Sequence, residues 1–261
     1  MILKTHEWGT AGGQPVICVH GLNQHGGVFK DLAGAVGPSG KRVIAVDIRG
    51  HGGSAHEGPW DIDTHVQDLR DTIESVGISR ATWIGHSFGA RVIATLASDY
   101  PDLVERLILL DAVMQVTGEY ALRSAEMDRL DWNFGTAEGA VNALLSSSGL
   151  VNPKPGVVEA FVQSDLVRGV DGRLRFSHCP SAVVAAWSEL AKAAPPVAKL
   201  PTLVIRPAVP LLPTQEQDLR YREELGSLMT VAVVPNGHNV LWESPSECAS
   251  AIEAFLAKSV A

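Results

Sequence analysis

The sequence is poor in cysteine. Cys18, Cys179 and Cys248 lie far apart, and no two of them form a Cys-x-x-Cys pair. That argues against a disulfide framework and against a cysteine-rich zinc module. No His/Asp/Glu cluster has ligand spacing on one expected element either, so no metal is expected. Basic residues are outnumbered, 21 Lys and Arg against 29 Asp and Glu, for a net charge of −8. A nucleic-acid partner or an anionic membrane needs a basic face, so neither is expected. No apolar run approaches the ~20 residues of a membrane span. The first residues, Met1-Ile2-Leu3-Lys4-Thr5-His6-Glu7, lack the basic stretch and apolar run of a signal peptide. A cytoplasmic protein is the expectation. Disorder is excluded by a hydrophobic share of 46%, and 261 residues suffice for one substantial α/β domain with an insertion.

What is present is a run of short apolar segments alternating with helical patterns. Val16–His20, Arg42–Val46, Ala81–Ile84 and Arg106–Leu110 read as buried strands. Thr64–Val76 carries Val66, Leu69, Ile73 and Val76 at helical spacing, and Phe88–Ser98 reads as a second helix. Such alternation predicts a mostly parallel twisted sheet with helices on both faces. From about 113 to 196 the strand signal fades. Helices are expected there at Tyr120–Leu130, Ala137–Ser146, Val157–Leu166 and Ser181–Ala193. The expected organisation is a core of residues 1–112 and 197–261 carrying a helical cap over 113–196. Core signals return with strands at Pro201–Ile205 and Leu228–Val234. Helices follow at Thr214–Leu225, with Thr214 as N-cap, and at Pro245–Leu256, with Ser244 as cap.

The chemistry-bearing segment is Gly85-His86-Ser87-Phe88-Gly89, which fits Gly-x-Ser-x-Gly. A serine between a strand and a helix must turn sharply, and glycines two residues to either side leave room for the turn. The helix behind it aims its N-terminal amides at the reaction centre, where they stabilise an oxyanion. Here the expected strand precedes Ser87 and the expected helix follows it, so Ser87 is read as a nucleophile. His238, in Asn236-Gly237-His238, follows the last strand and so shares the carboxyl edge of the sheet with Ser87. It is the expected general base. His6, His25, His56 and His65 are expected on surface loops or helix faces, and His178 in the insertion. Asp47-Ile48-Arg49-Gly50-His51-Gly52-Gly53-Ser54 is read as a structural turn, because no Gly-Lys-Ser/Thr follows to make a phosphate loop.

Taken together, His20-Gly21, Asp47-x-Arg49-Gly50-His51-Gly52-x-Ser54, Gly85-His86-Ser87-Phe88-Gly89 and Gly237-His238-x-x-x-x-Glu243-x-Pro245 resemble the α/β-hydrolase superfamily in order and spacing across nearly the whole chain. The resemblance implies a Ser-His-acid triad, a helical lid, and an oxyanion hole from the amides of Leu22 and Phe88. One feature departs from the family pattern. The aspartate usual just after the strand behind the lid is missing from Ile205-Arg206-Pro207-Ala208-Val209-Pro210-Leu211-Leu212-Pro213, with Val209 about where it should stand. Some family members place the acid at the end of the preceding strand, where this sequence has Asp111. Asp111 is therefore the expected acid, with Glu216, Asp218 or an acid-free Ser-His dyad as alternatives.

A serine nucleophile favours acyl transfer. The expected activity is hydrolysis of a carboxylic ester, thioester or lactone of a small apolar or aromatic molecule. Met114, Trp132 and Trp187 of the insertion are expected to line the pocket. The alternatives are a C–C bond hydrolase or lyase-type relative with the same triad, and a non-catalytic receptor on the same scaffold. No cofactor is implied, the expected partner is a small-molecule substrate, and the sequence carries no signal of oligomeric state.

Overall fold

In the computed structural model, residues 1–130, 132–147, 149–212 and 215–258 are described. The chain begins with β1 (Lys4–Gly9), β2 (Gln14–Val19), α1 (Lys30–Val36), β3 (Lys41–Asp47), α2 (Ile62–Ser75), β4 (Ala81–His86), α3 (Phe88–Asp99) and β5 (Val104–Leu110). The insertion follows, as α4 (Gly118–Asp128), β6 (Asn133–Phe134), α5 (Ala137–Ser147), α6 (Val157–Asp165), β7 (Leu166–Arg168), β8 (Leu174–Phe176) and α7 (Pro180–Leu190). The chain ends with β9 (Thr202–Pro207), α8 (Gln215–Leu225), β10 (Met229–Val234), α9 (Val240–Glu243) and α10 (Pro245–Leu256). Thr214, the expected cap of α8, lies outside the described residues.

Seven strands form one sheet in the order β1-β3-β2-β4-β5-β9-β10. All neighbours run parallel except β1, which pairs antiparallel with β3. β4 is buried at every position because helices cover both faces. From β2 the chain moves outward to β3, then returns to the other side of β2 with β4. This reversal opens a crevice at the carboxyl ends of β2 and β4, the usual place for a ligand in such sheets. Gly21 and Ser87 follow those two ends.

Two features differ from the sequence-based expectation. β1, Lys4-Thr5-His6-Glu7-Trp8-Gly9, was not expected as a strand. Its polar alternation suits a half-exposed edge, which carries little apolar signal. The insertion is not wholly helical. β6, β8 and β7 form a small antiparallel sheet of two- and three-residue strands, too short for any periodicity to show. The insertion contributes to the hydrophobic clusters on both faces of the large sheet. Met114, Val116, Ala186 and Leu190 join the cluster around Trp83 and Phe88. Leu144, Phe161, Val162 and Phe176 join the one around Phe29 and Trp242.

Asp165, at the end of α6, is buried beside β8. Its Oδ1 accepts a hydrogen bond from the Ser177 hydroxyl, while Oδ2 has no partner among the described residues. Burial pushes the carboxyl up to about 6 against the opposing bonds from Ser177. An acid that ionises less readily in the folded chain loses stability as pH rises from about 4 to about 6, because the native state holds the proton longer. Asp165→Asn carries no such titration. Thermal melts should show the Tm of wild type, taken relative to this variant, falling between pH 4 and pH 7. A constant difference would contradict the assignment.

Candidate active site

Ser87 sits between β4 and α3 at φ +52° and ψ −115°, a region non-glycine residues rarely occupy. The neighbours make the turn possible. A Cβ on Gly85 would stand 2.6 Å from the Ala90 backbone, and one on Gly89 would overlap the Val19 carbonyl oxygen. Gly21 has the same role on the facing loop, where a Cβ would lie 3.1 Å from both Ser87 Cβ and His86 Nδ1. These three bare α-carbons let the β2 loop, the strained turn and the first turn of α3 touch.

Around Ser87 the structure assembles three side chains from three strand ends. His238 Nε2 lies 3.1 Å from Ser87 Oγ, and His238 Nδ1 lies 2.6 Å from Asp111 Oδ2. With Nδ1–H donating to Asp111, Nε2 is left to accept the serine proton. Asp111 follows β5, is buried, and has φ +34°. Its amide donates to the Ile205 carbonyl of neighbouring β9, which holds the carboxylate at the edge of the sheet. The two other candidate acids do not reach His238. Glu216 is exposed on α8, and Asp218 is paired with Arg206.

Several residues that sequence reading assigned to glycine motifs or surface loops hold these groups in place. His86 Nε2–H donates to the His238 carbonyl (3.0 Å), and its Nδ1 faces Gln24 Oε1 at 3.1 Å. Burial depresses this imidazole to about 3, so the ring is neutral. Gln24 Oε1 accepts from the Gly21 amide, which links the β2 loop to the same cluster. His20, held to about 4 by burial, accepts from the Ile48 amide at Nε2 and donates from Nδ1 to Gly21. Glu243 Oε2 accepts from the amides of Gly237, Val151 and Asn152, and so ties the His238 loop to the insertion. The glycine-rich turn after β3 folds onto Asp47, which accepts from the Gly26 and Gly53 amides and from His6 Nε2. Burial opposes ionisation of Asp47, yet the bonds from His6 and the Gly53 amide hold it at about 2.

Expectations for His25 and His65 need correction. Both are buried, His25 stacked on Phe161 and His65 edge-on to Phe88. A lone histidine on a helix or loop gives no sequence signal of such packing.

A cavity of about 240 Å³ opens over Ser87 and His238. Leu22 borders it. Phe88 does not, since its side chain is buried in the core. Its amide nonetheless begins α3, whose first N–H groups lack intrahelical acceptors. Trp132 and Trp187 line the cavity. Met114 does not. It is a core residue whose sulfur meets the Tyr221 hydroxyl at 3.8 Å, and an apolar residue just past a strand looks the same in sequence either way. Tyr120, Asp128, His178 and Trp242 also line the cavity and were not expected to.

The sequence matches the family model for the alpha/beta hydrolase fold over residues 14–175. This chain belongs to that family. Along its full length it resembles Lipase LipV of Mycobacterium tuberculosis, with 31% identity covering 98% of this chain and 99% of that protein. It is 33% identical to the sn-1-specific diacylglycerol lipase ABHD11 of Danio rerio over 43% of this chain and 36% of that protein. Among solved structures, E-2-(acetamidomethylene)succinate hydrolase superposes with a TM-score of 0.85 at 25% identity, covering 98% of this chain and 95% of that one. The α/β-hydrolase is thus an enzyme of the hydrolase class. Among its described residues, no helix is long and apolar enough to cross a membrane.

The packing around the turn predicts a steep cost for a single methyl group. Gly89→Ala should lower the melting temperature and abolish activity together, because the carbonyl it would strike is backbone and cannot rotate away. A variant with native Tm and native turnover would mean that α3 sits farther from β2 than described.

Proposed function

We propose that this α/β-hydrolase cleaves carboxylic esters, thioesters or lactones of small apolar or aromatic substrates through an acyl-enzyme on Ser87. The observation that carries the reading is the continuous chain Ser87 Oγ–His238 Nε2 and His238 Nδ1–Asp111 Oδ2, at 3.1 and 2.6 Å. In this reading Ser87 Oγ attacks the carbonyl carbon as its proton passes to His238. Asp111 fixes the imidazole tautomer and stabilises the imidazolium. The amides of Leu22 and Phe88 donate to the carbonyl oxygen as it becomes negative. His238 then protonates the departing alcohol, and water, deprotonated by the same imidazole, releases the acid.

Names of relatives lend support, since the full-length relative is a lipase and ABHD11 a diacylglycerol lipase. The cavity suits modest substrates, because its volume is at the small end for ligand pockets. Trp132 and Trp187 are read as substrate-contacting, and residues 113–196 as a cap over the serine. A cytoplasmic location fits three free cysteines, two of them buried.

Hydrolysis of p-nitrophenyl butyrate tests the reading. Wild type should release p-nitrophenol with a burst, and a quenched reaction should show the butyryl adduct on Ser87 by intact mass. Ser87→Ala, His238→Ala and Asp111→Asn should each lower kcat by roughly 10⁴-fold or more. If Asp111→Asn stays within a few-fold of wild type, Asp111 is not the acid. If Ser87→Ala keeps its activity, the acyl-enzyme is wrong.

A further inference from the structure

The cavity over Ser87 holds a charge that the proposed reaction does not use. Asp128, the last residue of α4, lines it half-buried. Among the described residues, its two oxygens meet only neutral donors. Trp187 Nε1–H donates to Oδ2 at 2.6 Å, and Asn23 Nδ2 lies 3.4 Å from Oδ1. Asn23 presents a second acceptor, since its Oδ1 is buried and unpartnered among the described residues. No lysine or arginine lines the cavity, again among the described residues. Burial holds two of its histidines, His86 and His178, neutral, at about 3 and about 4. The same burial raises the Asp128 carboxyl despite the bonds from Trp187 and Asn23. The remaining walls are rich in aromatic rings, with Tyr120, Trp132, Trp187 and Trp242 on one cavity, and Tyr120 set edge-to-face on Trp187 at 5.9 Å.

A carboxylate taken partly out of water with no cation beside it is costly, and none of the described residues lining the cavity supplies one. The aromatic rings lining the same cavity attract positive charge through their faces. We propose that Asp128 and these aromatic walls form a subsite for a cationic group, so that the preferred substrates are esters bearing an ammonium. The assignment rests on the ester-hydrolase reading and names the substrate class of the same cavity. Asn23 ties the two together, because it sits beside Leu22, whose amide is the proposed oxyanion donor, and contacts Asp128 directly. A bound cation then lies against the residue next to the reacting carbonyl.

The test uses two esters of the same shape, butyrylcholine and its uncharged carbon isostere 3,3-dimethylbutyl butyrate. Wild type should favour the cation by roughly 10-fold or more in kcat/KM, equivalent to about 1.4 kcal/mol. Asp128→Asn keeps the shape, and the ratio should fall toward one. Equal kcat/KM for the two esters in wild type would overturn the subsite while leaving ester hydrolysis intact. So would a ratio that Asp128→Asn leaves unchanged. If neither ester is cleaved, ester hydrolysis fails separately, and binding decides the subsite. The quenching of tryptophan fluorescence by tetramethylammonium in Ser87→Ala should saturate, and should weaken roughly 10-fold when Asp128→Asn is added. Absence of saturable quenching would overturn the cationic subsite.

Discussion

The site depends on one close contact, the first turn of α3 pressed against the ends of β2 and β4. Gly85, Gly89 and Gly21 have no side chain where one would collide with backbone or with Ser87. That contact forces Ser87 to φ +52° and lifts its hydroxyl to the carboxyl edge of the sheet. It also brings the Leu22 loop and the start of α3 to opposite sides of one point. Backbone strain at Ser87 persists because the surrounding sheet is buried and overdetermines it. The Ser87 amide donates to the Leu110 carbonyl, which locks the turn to the strand that delivers Asp111.

A second layer of buried polar groups holds the loops that converge there. His20 and His86 are neutral imidazoles, each fixing backbone of a neighbouring loop. Neutrality matters, because a charged ring so deeply buried would need a carboxylate partner, and among the described residues neither His20 nor His86 has a carboxylate as hydrogen-bond partner. Asp47 and Glu243 instead stay tied to several amides, an arrangement in which a carboxylate can be buried. The result is a rigid frame into which the mobile parts of a reaction, protons and substrate, can be placed.

Much of this was legible in the sequence because parallel strands with two covered faces read as plain apolar runs. β2, β3, β4, β5, β9 and β10 were each found within a few residues, and the glycine spacing around Ser87 marked the turn. The rest depends on tertiary context. β1 is an edge with polar alternation, and the insertion strands are shorter than any period. Met114 and Trp187 look alike as apolar residues of the insertion, yet one packs into the core and the other faces the cavity. Asp128 and His86 gave no signal, because a lone acid on a helix and a histidine inside a motif both have commoner explanations.

The proposed role of Asp111 as the acid shows how a local loss can be absorbed by neighbouring strands. β5 and β9 are adjacent and parallel, with Leu110 beside Ile205, so their carboxyl ends present side chains to nearly the same place. A carboxylate on either end can address one histidine. With Asp111 in that position, the segment after β9 is free of the task, and its backbone takes another. Ala208 donates to the Val234 carbonyl and Val209 to that of Asn236, two residues before His238. The stretch that lacks the family's aspartate therefore still serves the proposed base, by bracing the loop that carries it. Deleting that bracing would disturb His238 through its backbone, whereas in the proposed triad losing Asp111 would remove the partner of His238 Nδ1.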